Sequence, residues 1–265
     1  MKDSLDLLFE LSNEDRLSIL TALQGSPSKL TEISVAIKLP NQETSRQVAR
    51  LSTLDLIYRD GKGLYNLTPY AEQVIALMPG FEFLSKYRSY FKTHTATGIP
   101  KEFQLRIGEL SFCTLIEDPV TNQYEIQQVI TGANEYVWSM VEQVNITLGK
   151  HTEDAIRRGA NHRVIMPNNL VPSEPYRSYI LNWGPDHPMR SSRAERRFVD
   201  NISVALIMSE KEVACILFPT IDGKMDYLGF KSKDSEAHKW CRDLFMNYWE
   251  VATESVPKSL AELIY

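Results

Sequence analysis

Gln42, Glu43 and Arg46 stand within five positions of one another, and side chains of these types can present paired donors and acceptors to base edges. Ser45 and Arg50 lie on the same stretch, and Lys38, Arg59 and Lys62 flank it; these are types that hold phosphates or enter the minor groove. From Lys38 to Asn66, five basic residues (Lys38, Arg46, Arg50, Arg59, Lys62) face three acidic ones (Glu43, Asp55, Asp60), in a chain whose formal net charge is −5. A polar helix face is often no more than a solvated face. The local excess of positive charge weighs toward recognition of double-stranded DNA, which needs a basic footprint only where it touches phosphate.

A second group is Arg190, Arg193, Arg196 and Arg197, preceded by Tyr176, Trp183 and His187. Its plainer account is a solvated face, or ion pairs with Glu195 and Asp200. Its functional account is a pocket for a small anionic metabolite, with Arg190, Arg193 and Arg197 as charge partners and Tyr176 and Trp183 as the apolar wall.

Bond-making chemistry finds little support. The five His are scattered singly. A phospholipase D site pairs a His nucleophile with a Lys at a fixed offset, whereas His238 and Lys239 are adjacent and His162 is followed by Arg163-Val164. There is no G-x-S-x-G elbow, no phosphate-binding glycine loop and no H-E-x-x-H. Cys113, Cys215 and Cys241 are odd in number and widely spaced, and read as reduced thiols of a cytosolic protein. No catalytic residue, metal or cofactor is expected.

The elements that must position these residues follow from periodicity. Thr44, Val48 and Leu51 fall at i, i+4 and i+7, one face of a helix, with Asn41 expected as its N-cap after Pro40. Strand-like runs at 56–59 and 64–67 flank Asp60-Gly61-Lys62-Gly63, which predicts a hairpin. Upstream, helices are expected over 5–11, from a Ser12 or Asn13 cap to Gly25, and over 32–37 behind a Thr31 cap; Lys38-Leu39-Pro40 is the turn. This order predicts a winged helix-turn-helix with a core of Leu11, Leu17, Leu20, Leu30, Ile33, Val48, Leu51, Leu54 and Ile57.

Thr68-Pro69 starts a helix over 70–78, Pro79-Gly80 interrupts it, and 81–91 resumes with Phe83, Leu84, Tyr87, Tyr90 and Phe91. The domain boundary is placed there: 1–78 and 79–265. Later strands are expected at 112–117, 136–140, 163–166, 198–199, 203–208, 213–218 and 227–230. Helices are expected at 125–131, at 145–158 with Gly159 as a left-handed cap, and at 235–253. Helix followed by strand suggests a β-α-β unit with parallel pairing. The fold class is thus an α+β winged helix-turn-helix domain followed by an α/β regulatory domain. At 265 residues the chain can build real cores. MKDSLDLLFEL carries acids within its apolar run and does not read as a signal peptide, and no run approaches a bilayer span.

Several short segments, in this order, resemble a known family: Leu67-Thr68-Pro69-Tyr70-Ala71, Tyr90-Phe91 with His94, Ile99-Pro100-Lys101-Glu102-Phe103, Ile107-Gly108-Glu109-Leu110, Phe218-Pro219, Asp222-Gly223-Lys224-Met225-Asp226-Tyr227, and Trp240, Asp243-Leu244-Phe245, Tyr248-Trp249. They are similar to archaeal winged-helix regulators of the methanogenesis-regulatory Fil type, over nearly the whole length. Ala71 departs from the expected Gly, and Thr95 after His94 from the expected Asp. Residues around Ala155-Ile156-Arg157-Arg158-Gly159 are more remotely similar to the sensory domain of archaeal sugar-responsive regulators, which resembles a phospholipase D half; here the catalytic motif is lacking. The resemblance implies a DNA-binding regulator with an effector-sensing domain. The aromatic segments at 81–91 and 235–253 suggest a homodimer. Two other classes stay open: a protein-interaction adaptor built on the winged helix, and a phosphodiesterase-like enzyme.

Overall fold

The computed structural model describes residues 2–264. The chain divides into two compact units that meet at Pro79 and Gly80.

The first unit runs α1 (Lys2–Leu11), α2 (Glu14–Gly25), α3 (Leu30–Ala36), α4 (Asn41–Thr53), β1 (Ile57–Arg59), β2 (Tyr65–Leu67) and α5 (Pro69–Ala76). Asn13 caps α2, its side chain accepting from the Arg16 N–H at 3.0 Å. Thr31 is not the cap of α3: the cap position is Lys29, two residues earlier, and the Glu32 carboxylate accepts from its N–H at 2.7 Å. Nor is Asn41 a cap, because Pro40 sits at that position and Asn41 is already helical. Lys38 takes a left-handed backbone, φ 56, where α3 turns into α4.

The β1–β2 hairpin pairs Ile57 with Leu67 and Arg59 with Tyr65. Its turn is closed by Asp60, whose carboxylate accepts the Lys62 and Leu64 N–H groups, each at 2.9 Å. Gly63 supplies the positive φ, +82, that the turn requires. A single bridge from Ser28 to Tyr65 adds the segment before α3 to the hairpin. Ile19, Leu20, Ile33, Val48, Leu51, Leu56 and Ile57 form the core, while Leu17, Leu30 and Leu54 pack at its margin.

The second unit continues with α6 (Met78–Lys86), α7 (Arg88–Phe91), α8 (Lys101–Leu105), a 3-10 turn at Ile107–Leu110, β3 (Thr114–Ile116), α9 (Pro119–Gly132), β4 (Tyr136–Met140) and α10 (Ile146–Arg158). It then has β5 (Asn161–Pro167), α11 (Glu174–Leu181), a 3-10 turn at Pro188–Arg190, β6 (Ala194–Val199), β7 (Ala205–Ser209), β8 (Val213–Leu217), β9 (Gly229–Ser232), α12 (Ser235–Val251) and α13 (Lys258–Ile264). Pro79-Gly80 does not break the chain as expected: Leu77 separates α5 from α6, and Pro79 sits in the first turn of α6, where a missing N–H costs nothing. The 81–91 helix is likewise two, broken at Tyr87.

Seven strands form a mixed sheet in the order β3-β9-β8-β7-β4-β5-β6. β4, β5 and β6 are parallel neighbours, so β4-α10-β5 is the expected parallel unit; the other pairings are antiparallel. Asn145 caps α10 and Gly159 ends it at φ +113. One sheet face packs on α12 and the aromatics of α6 and α7. The other is roofed by α9, α10 and α11.

Those aromatics are core, which removes the sequence argument for a dimer seam. Phe83, Tyr90, Trp240, Phe245 and Trp249 are buried in one core cluster with Phe230, and Phe81 and Leu84 turn outward. The family-like segments meet here as staples. His94 Nε2 lies 3.0 Å from Asp226 Oδ2, and its ring stacks on Tyr90 at 3.8 Å. The Tyr90 hydroxyl accepts from the Phe218 N–H at 3.2 Å. The Trp240 indole donates to the Phe103 carbonyl at 3.2 Å, and Arg106 joins Glu109 to Asp243.

Candidate nucleic-acid interface and ligand cavity

Helix α4 buries Thr44, Gln47, Val48 and Leu51 and turns Gln42, Ser45, Arg46, Ala49 and Arg50 to solvent. Gln42, Ser45, Arg46 and Ala49 make one stripe, since residues three and four apart share a helix face. Lys38 and Lys62 are exposed at the turn before α4 and at the hairpin tip. Arg59 donates to the Gly63 carbonyl at 3.2 Å and lies over Tyr65, so the tip is held in shape by one of its own cations.

Two of the expected contact residues also have partners within the unit. The exposed Arg50 guanidinium makes a two-pronged bond to Glu10, Nη2 to Oε1 at 2.6 Å and Nε to Oε2 at 3.0 Å, which ties α1 to α4. The Glu10 hydrogen bond raises the Arg50 pKa. Glu43 is a link in an internal chain. It accepts from buried Gln47 at 2.6 Å and from Arg46 at 3.2 Å, and Gln47 in turn accepts from buried Arg16 at 3.0 Å. The Arg46–Glu43 pair is exposed, and pairs of that kind contribute little, so Arg46 can exchange it for an outside acceptor.

In the second unit, a cavity of about 500 Å³ lies between the sheet and the roof of α9, α10 and α11. Its floor is Ser139, Val141, His162, Val164, Ala205, Ile207, Cys215 and Leu217; its roof includes Asn122, Ile126, Leu148, Thr152, Tyr176 and Tyr179; Trp183, Met189 and Arg196 close one end. Burial beside the Arg196 charge pushes His162 down to about 3, so the imidazole is neutral. Burial raises Tyr179, whose hydroxyl donates to the Glu153 carboxylate. Burial also lifts the Cys215 thiol to about 12, which leaves it protonated, a small apolar group on the floor.

The structure gathers only part of the expected anion pocket. Tyr176 and Trp183 line the cavity; Arg190, Arg193 and Arg197 do not. Arg197 points to the other sheet face, donating to the Trp249 carbonyl at 2.8 Å and to Glu254 at 2.9 Å. Arg193 is exposed and donates to the Gly159 carbonyl at 2.8 Å, and Arg190 is exposed in its 3-10 turn. Glu195 pairs with Arg163, not with the cluster. The arginine of the cavity is Arg196, 5.3 Å from the Trp183 ring and donating to the Met189 carbonyl.

Strand alternation separates Arg196 from Arg197, and the sequence signal for it was the pair of neighbours Phe198 and Val199. Asn122, His162 and Tyr179 carried no local signal, because their helices and strand are far apart in the chain. Among the described residues no group of His, Cys, Asp and Glu is placed to hold a metal ion, and no helix is long and apolar enough to cross a membrane.

No protein-family model matches the chain, and no curated protein does. Among solved structures it is similar to TrmBL2, described as an archaeal chromatin protein with a novel mode of DNA binding: 14% identity over 92% of this chain and 94% of that one, TM-score 0.43. It is also similar to NucT from Helicobacter pylori, 7% identity over 53% of this chain and 96% of that one, TM-score 0.41. A third similarity is to NcsB1, an O-methyltransferase of neocarzinostatin biosynthesis, 12% identity over 66% and 58%, TM-score 0.23. Likenesses at this level leave fold and function to be read from this chain's own residues.

Proposed function

We propose that the chain is a sequence-specific DNA-binding transcriptional regulator, with a winged helix-turn-helix in its first unit and an effector-sensing second unit. The observation that carries this reading is the exposed stripe of Gln42, Ser45 and Arg46 on α4, flanked by Lys38 and the hairpin tip with Lys62. In this reading α4 lies in the major groove, where Gln42 and Arg46 meet base edges. Lys38, Ser45, Arg59 and Lys62 contact the backbone or the adjacent minor groove.

A homodimer sets two such helices on half-sites about one helical turn apart. Leu5, Leu8 and Phe9, exposed on α1, supply apolar surface for it now that the later aromatics are accounted for as core. The same surface suits an adaptor that docks another protein, which is the second reading. Sedimentation with and without DNA tests the dimer, and only monomer at micromolar concentration overturns it.

The deciding experiment is binding to fragments from genome-wide mapping of occupied sites, measured across a salt series. A regulator binds a subset of fragments with a negative log–log salt slope. Equal, weak binding to every fragment leaves the adaptor reading in its place.

A further inference from the structure

The cavity under α9, α10 and α11 is long, mainly apolar, and polar at its two ends. Its floor crosses five adjacent strands, from Cys215 in β8 to Arg196 in β6, about 19 Å at the usual strand spacing of ~4.8 Å. Ile126, Val141, Leu148, Val164 and Ile207 line the middle. At the β8 end Asn122, 1% exposed, donates its amide N–H to the Tyr227 carbonyl at 2.8 Å, but its Oδ1 is buried with no hydrogen-bond partner. At the β6 end the indole N–H of Trp183, 8% exposed, is buried with no acceptor at full hydrogen-bonding distance, the Tyr179 hydroxyl being a weaker polar neighbour. Buried polar atoms are seldom left unpaired, because each has given up water for nothing. Here one unpaired acceptor and one unpaired donor line opposite ends of the same cavity.

We infer that this cavity is the binding site for one elongated, mainly apolar carboxylate that carries a hydrogen-bond donor at its far end. The carboxylate lies at the β6 end, accepting from the Trp183 indole N–H beside the Arg196 guanidinium. The apolar chain crosses β5, β4 and β7. The terminal donor, a hydroxyl or an amide N–H, meets Asn122 Oδ1. His162, on β5 next to the Arg196 end, is neutral and adds no second charge to the cavity, which favours a chain over a second charged group. This deepens the effector-sensing half of the function proposed above and is independent of its DNA-binding half.

The test uses the full chain without DNA and three probes of one length: 10-hydroxydecanoate, decanoate and 1,10-decanediol. Thermal shift and tryptophan fluorescence report binding. The expected order of affinity is hydroxydecanoate, then decanoate, then diol, and Trp183→Phe, which keeps an aromatic side chain of smaller size and removes the N–H, weakens the two carboxylates about tenfold while affecting the diol less. Equal binding of diol and decanoate overturns the carboxylate end. Equal binding of decanoate and hydroxydecanoate overturns the Asn122 end. No shift with any probe overturns the site, and leaves binding of DNA fragments by the same protein unaffected.

Discussion

Arg196 and Arg197 are consecutive in β6 and serve opposite faces of the sheet: Arg196 lies 5.3 Å from the Trp183 ring in the cavity, Arg197 4.6 Å from the Trp249 ring on α12. Side chains alternate along a strand, so chemically identical neighbours end in different compartments. Arg197→Ala is expected to cost about 1–3 kcal/mol of stability through the lost ring contact and the bond to the Trp249 carbonyl, with little from exposed Glu254. It leaves the response to carboxylate probes as in wild type, whereas Arg196→Ala reduces that response. Urea unfolding and thermal shift on both variants check the split.

On α4, Arg46→Ala should weaken a specific site by about 1–3 kcal/mol and relax discrimination at one base position. Lys62→Ala should weaken all sequences alike and reduce the salt slope by about one unit. Fluorescence anisotropy on matched and scrambled duplexes across a salt series distinguishes the two.

Glu10 is the carboxylate between Arg50 and buried Arg16, whose Nε lies 2.8 Å from Glu10 Oε2. Glu10→Ala leaves Arg16 charged inside the first unit with no carboxylate and should destabilise that unit by about 3 kcal/mol. Arg50→Ala leaves the Arg16–Glu10 pair in place and has the smaller effect. Denaturant curves followed by far-UV circular dichroism of the full chain read both.

His162 makes the second unit acid-sensitive. Its folded pKa of about 3 lies below the ordinary value of about 6.5, so between those pH values the unfolded chain binds a proton the folded one does not. Stability therefore falls as pH drops from about 6.5 toward 3, and this contribution is fully recovered above 6.5. A His162→Gln variant should show a shallower slope in that window. Unfolding at a series of pH values, wild type against variant, is the check.

Local order was legible from residue types alone, because caps, turns and amphipathic faces depend on neighbours a few positions away. Thr68-Pro69 starts α5, Asn145 and Gly159 bracket α10, and Asp60-Gly61-Lys62-Gly63 turns the hairpin, each where spacing and side-chain chemistry demand it. The faces of α4 were equally legible, since Thr44, Val48 and Leu51 repeat with the helix period. Thr31 and Asn41 were misread because a glutamate side chain and a proline one residue away compete for the same cap positions.

Tertiary structure alone decided what depends on long separations. That Arg50 is tied to Glu10, 40 residues away, follows only from α1 lying against α4. The aromatics at 81–91 suit a core or a dimer seam equally by residue type, and the sheet order, which sets Phe230 against Phe83, Tyr90 and Phe91, makes them core. The cavity joins Asn122, His162, Trp183 and Arg196 from one helix, one loop and two strands. Strand order and the choice of roofing helices set which face each of these residues meets, and no local period encodes either.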